Sequence, residues 1–109
     1  MPLNPWIYLV LAGTMEIGWA VGLKFTEGFT QLIPSAITAG FMILSLYLLS
    51  LALKSISIGT GYAIWTGIGA IGTAVIGMLI LGDSKEIGRI ACILIIITGI
   101  IGLKFFSNN

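Results

Sequence analysis

The chain has 109 residues, of which 58% are hydrophobic and 8% are charged, and its mean hydropathy is +1.13. A soluble domain of this size needs far less apolar surface, so the composition predicts a membrane protein. The net charge of +1 and the absence of histidine argue against nucleic-acid binding and histidine-based metal or acid–base sites. One cysteine excludes an intrachain disulfide and a cysteine-only metal site, and we predict neither a metal nor a cofactor.

The hydrophobic pattern predicts an all-α fold with four membrane-spanning helices, at about 6–25, 32–53, 58–81 and 87–106. Each segment is long enough to cross a hydrocarbon core of about 30 Å once, at about 1.5 Å per residue. Asn4 and Pro5 fit the cap and first turn of the first helix. The start of the chain lacks the positive region of a cleavable signal, so we expect this helix to be retained. With no linker between segments, residues 1–109 are predicted to form a single transmembrane domain.

Glu16 is a carboxylate in the middle of the first apolar segment. It lies ten residues after Trp6, or about 15 Å along the helix, which is near the bilayer midplane. A charge at that depth costs about 2.5–3.5 kcal/mol on insertion scales and is expensive to keep without a role. We therefore interpret Glu16 as a functional residue.

Four other polar or aromatic residues fall at similar depth. Counted from the membrane face where the first helix begins, which we call side A, they lie about 7, 12, 13 and 20 Å deep: Tyr62, Trp65, Ser45 and Trp19. An indole face attracts a cation by about 0.5–2 kcal/mol. The pattern predicts a cation site at Glu16 where a proton and a cation compete for one carboxylate, which suffices for exchange.

Small residues in the last two helices indicate close packing. Gly67 and Gly69 give the third helix a place to bend, or simply let another helix approach closely; the sequence leaves both open. Cys92, Gly99 and Gly102 form a small-residue face on the fourth helix, typical of helix association. Four helices are few to enclose a site and a path, so we predict a homodimer.

The basic residues give almost no topological bias. Lys54 and Lys104 fall on side A, and Lys24, Lys85 and Arg89 on the opposite face, side B. Cytoplasmic loops are normally enriched in Lys and Arg. The near balance is compatible with copies inserted in both orientations, although a bias of one residue could also suffice for a single orientation.

These residues resemble the small multidrug resistance family of proton-coupled exporters over essentially the whole chain. The mid-membrane Glu16 and the string YAIWTGIG at 62–69 carry the resemblance. Within the family, the sequence is similar to the guanidinium-exporter subtype. The segments that carry this second similarity are 16–24, 28–30, 58–60 and 99–104.

The resemblance implies an antiparallel homodimer in the cell inner membrane, built from oppositely inserted copies with alternating access to one central site. By resemblance, Glu16 binds guanidinium or protons. Trp19, Ser45 and Tyr62 would form a polar ring around the carboxylate, and Trp65 would line the pocket. Gly61 replaces an expected alanine, which predicts a looser start of the third helix, and the turn at 82–86 is atypical.

Two other functions stay open. A broad exporter of quaternary ammonium or aromatic cations would use a wider, more apolar pocket. A non-transporting assembly subunit could pair Glu16 with a cation of its partner. An enzyme has the least support, because one carboxylate without histidine or a nucleophile–base pair leaves little catalytic apparatus.

Overall fold

The computed structural model describes residues 4–106, which form four α-helices joined by short turns. The helices are α1 (Pro5–Phe25), α2 (Leu32–Ala52), α3 (Ile58–Leu79) and α4 (Ile87–Phe105). All four are long and apolar enough to cross a membrane. The predicted all-helical fold, with four apolar helices long enough to cross a membrane, is confirmed for the described residues, and every helix end lies within two residues of its predicted position.

The start of α1 is capped as predicted. The Asn4 side-chain oxygen accepts a hydrogen bond from the Trp6 amide at 2.9 Å, and Pro5 is the first helical residue. Proline fits there because its missing N–H would have no helical partner in the first turn.

The end of α3 differs from the prediction by two residues. The backbone turns at Gly82, whose φ of 79° lies in the left-handed region that glycine adopts readily. The amides of Leu81 and Asp83 both donate to the carbonyl of Gly77, at 3.1 and 2.9 Å. Because Ile80 and Leu81 are as apolar as the helix before them, hydropathy alone extended the predicted helix to residue 81, two residues beyond its observed end at Leu79.

Helix α1 lies between α2 and α3. It packs extensively on both, whereas α2 and α3 touch each other only sparsely. Among the four described helices, the backbone of α4 comes close to that of α3 alone, and α4 reaches α1 through the Lys104 side chain, which lies over the Trp6 ring. The described part of the chain is thin, with extents of 41 × 36 × 18 Å.

The buried apolar residues lie in the half of the molecule nearer side A. They come from the first half of α1, the end of α2, the following turn and the first half of α3: Leu9, Ala12, Leu49, Ala52, Ile56, Ile64 and Trp65.

Gly61, at the start of α3, lies in the same half of the molecule. A Cβ there would collide with the Leu53 side chain, so the start of α3 is closely packed, and the predicted looseness is wrong.

Candidate cation-binding site

The Glu16 carboxylate lies against α3. Gly69 leaves room for it, because a Cβ at that position would collide with the carboxylate oxygen Oε1. Oε1 is buried and has no hydrogen-bond partner within residues 4–106. A buried acceptor is normally paired, so this oxygen is free to bind a proton or a donor group.

Ser45 joins three helices. Its side chain is fully buried, its hydroxyl donates to the Ala12 carbonyl at 2.7 Å, and its oxygen accepts the Trp65 indole N–H at 3.0 Å. Ala12 is one helical turn before Glu16, so this hydroxyl fixes α2 and α3 to the part of α1 that carries the carboxylate.

Trp65 and Tyr62 form an aromatic pair on α3. Their ring centroids are 5.4 Å apart and the planes are inclined by 48°. Trp65 is 6% exposed and held by Ser45, whereas Tyr62 is 56% exposed. Tyr62 therefore offers much of its ring outside the packed core.

Trp19 follows Glu16 by three residues on α1, which places both on one helix face. Its indole nitrogen Nε1 is buried and has no partner in the described residues. An unpaired donor thus lies one turn from an unpaired carboxylate oxygen, both within the membrane-spanning part of the chain.

Direct contacts link only some of the five predicted site residues. Ser45, Trp65 and Tyr62 are linked by direct contacts, and Ser45 reaches α1 through Ala12. No hydrogen bond within residues 4–106 joins Ser45 or Trp65 to Glu16, since Ser45 gives its proton to the Ala12 carbonyl. The polar ring around the carboxylate remains a prediction.

Comparison with known proteins identifies the family. The family model described as "Small Multidrug Resistance protein" matches residues 4–97. The chain belongs to the small multidrug resistance family. It is similar to proteins named "Guanidinium exporter" from Escherichia coli O6:H1, at 56% identity over 94% of this chain and 98% of the relative, and from Proteus vulgaris, at 55% over the same shares. A relative of the same name from Escherichia coli K12 is 54% identical over 94% of this chain and 98% of its own length.

In this small multidrug resistance protein, Gly67 and Gly69, the two glycines of the predicted hinge, each lie in close contact with a neighbouring helix. A Cβ at Gly67 would come within 2.6 Å of the Ile100 side chain on α4, and one at Gly69 would strike Glu16. Helix α3 is continuous through both positions. Close packing is therefore present at Gly67 and Gly69, and bending there remains a prediction.

The small-residue face of α4 makes no close contact within the described chain. Cys92 and Gly99 are exposed, and a Cβ added at Gly99 or Gly102 would meet open space. No residue of α4 is buried among the described helices. This face is available for the helix association that the sequence predicts.

A cavity of about 410 Å³ lies apart from Glu16, between α1, α3 and α4. Its lining is almost entirely apolar: Trp6, Leu9, Val10, Ile64, Ile68, Ile100, Ile101, Lys104 and Phe105. The Lys104 ammonium lies over the Trp6 ring, 4.5 Å from its centroid. Such a pair at helix ends fits the membrane interface.

Sequence reasoning missed three buried hydroxyl groups of the side B half, those of Ser35, Thr38 and Thr73. A signal was present for one of them, because Thr38 precedes Ser45 by seven residues and therefore shares its helix face. For Thr73 the signal was weaker. It follows Gly69 by four residues, but only the register of α1 against α3 brings that face to the carboxylate.

Proposed function

We propose that this small multidrug resistance protein exports guanidinium and small guanidinyl cations in exchange for protons. The observation that carries the proposal is the unpaired, buried Oε1 of Glu16, which lies on α1 against Gly69 of α3. Glu16 is also the sole carboxylate within the four helices. The name shared by the similar relatives supports the choice of substrate.

A planar guanidinium ion suits these groups. A carboxylate accepts two parallel N–H bonds from such an ion, and charge-assisted bonds of this type are roughly twice as strong as neutral ones. The half-exposed ring of Tyr62 and the fixed ring of Trp65 add aromatic faces that attract cations. A bulky aromatic cation would use the hydrogen-bonding groups less well.

Exchange follows because a proton and a guanidinium ion compete for the same carboxylate. Glu16 holds either a proton or a guanidinium ion, and the protein changes the side to which the site opens when either is bound. A proton gradient then drives the cation the opposite way. The expected bending at Gly67 and Gly69 would serve this change of access.

The working form in this proposal is an antiparallel homodimer of oppositely inserted copies in the cell inner membrane, with both Glu16 side chains at one central site. Three observations support it. The chain is a layer only 18 Å thick, α4 buries no residue, and the basic residues are nearly balanced between the two sides. Association through Cys92, Gly99 and Gly102 would cover the free face of α4.

Transport by reconstituted vesicles tests the function. With an outward-directed proton gradient, we expect the unmodified chain to take up guanidinium, and Glu16→Gln to abolish both uptake and the accompanying proton movement. Glu27→Gln is the matched control, because Glu27 is an exposed acid in the turn after α1. Retained proton-coupled uptake by Glu16→Gln would remove the basis of the proposal.

The same vesicles separate the alternatives. Guanidinium and a bulky aromatic cation are offered side by side, and we expect the rate for guanidinium to be the higher. Preference for the bulky cation would instead favour the broad multidrug exporter. Absence of transport for both would favour the assembly subunit.

A further inference from the structure

Two neighbouring cavities lie around the Lys104 and Trp6 side chains, near side A. The first, of about 410 Å³, is the cavity between α1, α3 and α4 described above. The second, of about 400 Å³, lies beside it, against the first turns of α1. Both are lined by Trp6, Val10 and Lys104, so the Lys104 side chain lies where the two cavities meet.

The first cavity has the depth of one membrane leaflet. It begins at Trp6 and Phe105, near the side A ends of α1 and α4, and it reaches Ile68, ten residues after the start of α3 at Ile58. Ten residues make about 15 Å of helix, which is half of a hydrocarbon core of about 30 Å. An acyl chain of the leaflet on side A covers the same depth.

The walls of both cavities are aliphatic or aromatic, apart from the side chains of Lys104 and Asn4. A cavity with apolar walls stays dry, because water finds no hydrogen-bond partners in it. Within a membrane, the material that can fill such a space is a lipid acyl chain or a helix of another chain.

Lys104 gives this apolar region a positive charge, and it is the only charged side chain among the described residues that line the cavities. Its ammonium group lies over the Trp6 ring, 4.5 Å from the centroid, and has three N–H donors to share. The Asn4 side-chain oxygen accepts the Trp6 amide, which leaves the NH₂ group as the donor end of that side chain. An ammonium and an amide donor beside the same cavity suit a phosphate group.

The cavities lie on the side of α4 that faces away from its small-residue face. Ile100, Ile101 and Lys104 line the first cavity. Gly99 and Gly102 are about 140° and 160° around the helix from Lys104, at about 100° per residue. A second copy packed on the small-residue face would therefore leave both cavities open to the bilayer, which favours a lipid as the occupant.

We infer that the two cavities bind one anionic phospholipid, with its phosphate on Lys104 and Asn4 and one acyl chain in each cavity. The inference does not depend on which cation is transported. Lipid tails are as apolar as the aliphatic walls, so the chains alone give little preference for this place over the bilayer. The charge gives the preference, because basic pockets between membrane helices bind anionic headgroups, whereas the cation of a zwitterionic headgroup is repelled by Lys104.

A lipid in this position would join α4 to α1. The backbone of α4 comes close to that of α3 alone, and the Lys104 side chain is its link to α1. An acyl chain between α1 and α4 adds packing contacts on both helices. We therefore expect the bound lipid to raise the melting temperature of the protein in detergent.

Native mass spectrometry of the full chain tests the site. Phosphatidylglycerol and phosphatidylcholine with the same acyl chains are added in equal amounts, and we expect one phosphatidylglycerol to be retained per chain in preference to phosphatidylcholine. Lys104→Gln should weaken this binding about fivefold, the effect of removing one basic residue near a membrane surface.

Lys54→Gln is the matched control for the loss of charge. Lys54 is exposed on the same side, in the turn after α2, and it lines neither cavity. We expect it to retain phosphatidylglycerol as the unmodified chain does. Equal retention of the two lipids by the unmodified chain, or an equal loss in Lys54→Gln and Lys104→Gln, would overturn the inference.

Lys104→Arg separates lipid binding from a purely structural role of the lysine. Arginine keeps the charge and also lies well over aromatic rings. Phosphatidylglycerol should therefore raise the melting temperature of Lys104→Arg and of the unmodified chain, and leave that of Lys104→Gln unchanged. A loss of phosphatidylglycerol in Lys104→Arg as large as that in Lys104→Gln would contradict charge as the basis of binding.

Val10→Phe tests the cavities themselves. Val10 lines both and is 52% exposed, so a larger ring can occupy their space without entering the buried core. We expect retention of phosphatidylglycerol to fall although Lys104 is unchanged, and Ile43→Phe, at a 70% exposed position of α2 outside both cavities, to have no effect. Unchanged lipid retention by Val10→Phe would overturn the inference, and weaker association of copies in that variant would then assign the cavities to a second copy.

Discussion

The indole N–H of Trp65 donates to the Ser45 oxygen at 3.0 Å, and this hydroxyl in turn donates to the Ala12 carbonyl of α1. One fully buried serine therefore connects three helices at the level where the packed core ends. The bond holds the Trp65 ring in a fixed position beside the half-exposed ring of Tyr62. Any cation that uses this aromatic pair depends on Ser45 for the geometry.

Ser45→Ala should destabilise the protein and impair transport. The substitution leaves the Trp65 N–H buried without an acceptor, and an unsatisfied buried donor costs about 1–3 kcal/mol. We expect a lower melting temperature in detergent together with weaker guanidinium binding, measured by isothermal titration.

Ser50→Ala is the control for the serine substitution. Ser50 lies on the exposed side of the same helix and donates to the Tyr47 carbonyl of its own helix. We expect its melting temperature and guanidinium binding to equal those of the unmodified chain. If Ser45→Ala matched this control in both measurements, the serine would not be holding Trp65.

Gly69→Ala should damage the site through a single methyl group. The Cβ would occupy the place of the Glu16 carboxylate, and overpacking of this kind costs about 1–3 kcal/mol. We expect a lower melting temperature and a large loss of guanidinium uptake, because the carboxylate must move away from α3.

Gly40→Ala is the matched glycine control, since a Cβ at Gly40 meets nothing within 4 Å. Alanine is favoured over glycine in helices by up to about 1 kcal/mol, so this variant should be equally or more stable. Transport by Gly69→Ala at the rate of Gly40→Ala would mean that the carboxylate does not need this contact.

The sequence was sufficient to predict four apolar helices long enough to cross a membrane, because hydropathy is a local property. It also singled out Glu16, because the cost of burying a charge is local, and the role of Glu16 remains a prediction. It did not reveal that Ser45 donates to a backbone carbonyl, since that depends on the register of α2 against α1. The error at Gly61 has the same origin. From the sequence, a glycine without a side chain predicted loose packing at the start of α3. In the structure the Leu53 side chain fills the space beside Gly61.

Arg89→Gln should have little effect, because its ion pair with Asp83 is long and exposed. The two charged groups are 3.5 Å apart and their side chains are 40% and 47% exposed. Exposed pairs contribute about 0–1 kcal/mol. We expect a melting temperature and guanidinium affinity close to those of the unmodified chain. A strong loss of affinity would place a binding role in the turn between α3 and α4.

Disulfide formation between copies tests how the free face of α4 is used. If two α4 helices pack antiparallel and cross at residue 97, one residue past the middle of the helix, Cys92 of one copy approaches position 102 of the other. We therefore expect Gly102→Cys to form a covalent dimer through the native Cys92 under mild oxidation in membranes. A disulfide requires Cα atoms within about 7 Å, so the bond reports close approach.

The unmodified chain, with Cys92 alone, is the control and should stay monomeric on a non-reducing gel, since antiparallel packing separates the two copies of Cys92. Dimers of the unmodified chain that match those of Gly102→Cys in yield would indicate parallel packing of α4 and contradict the antiparallel dimer.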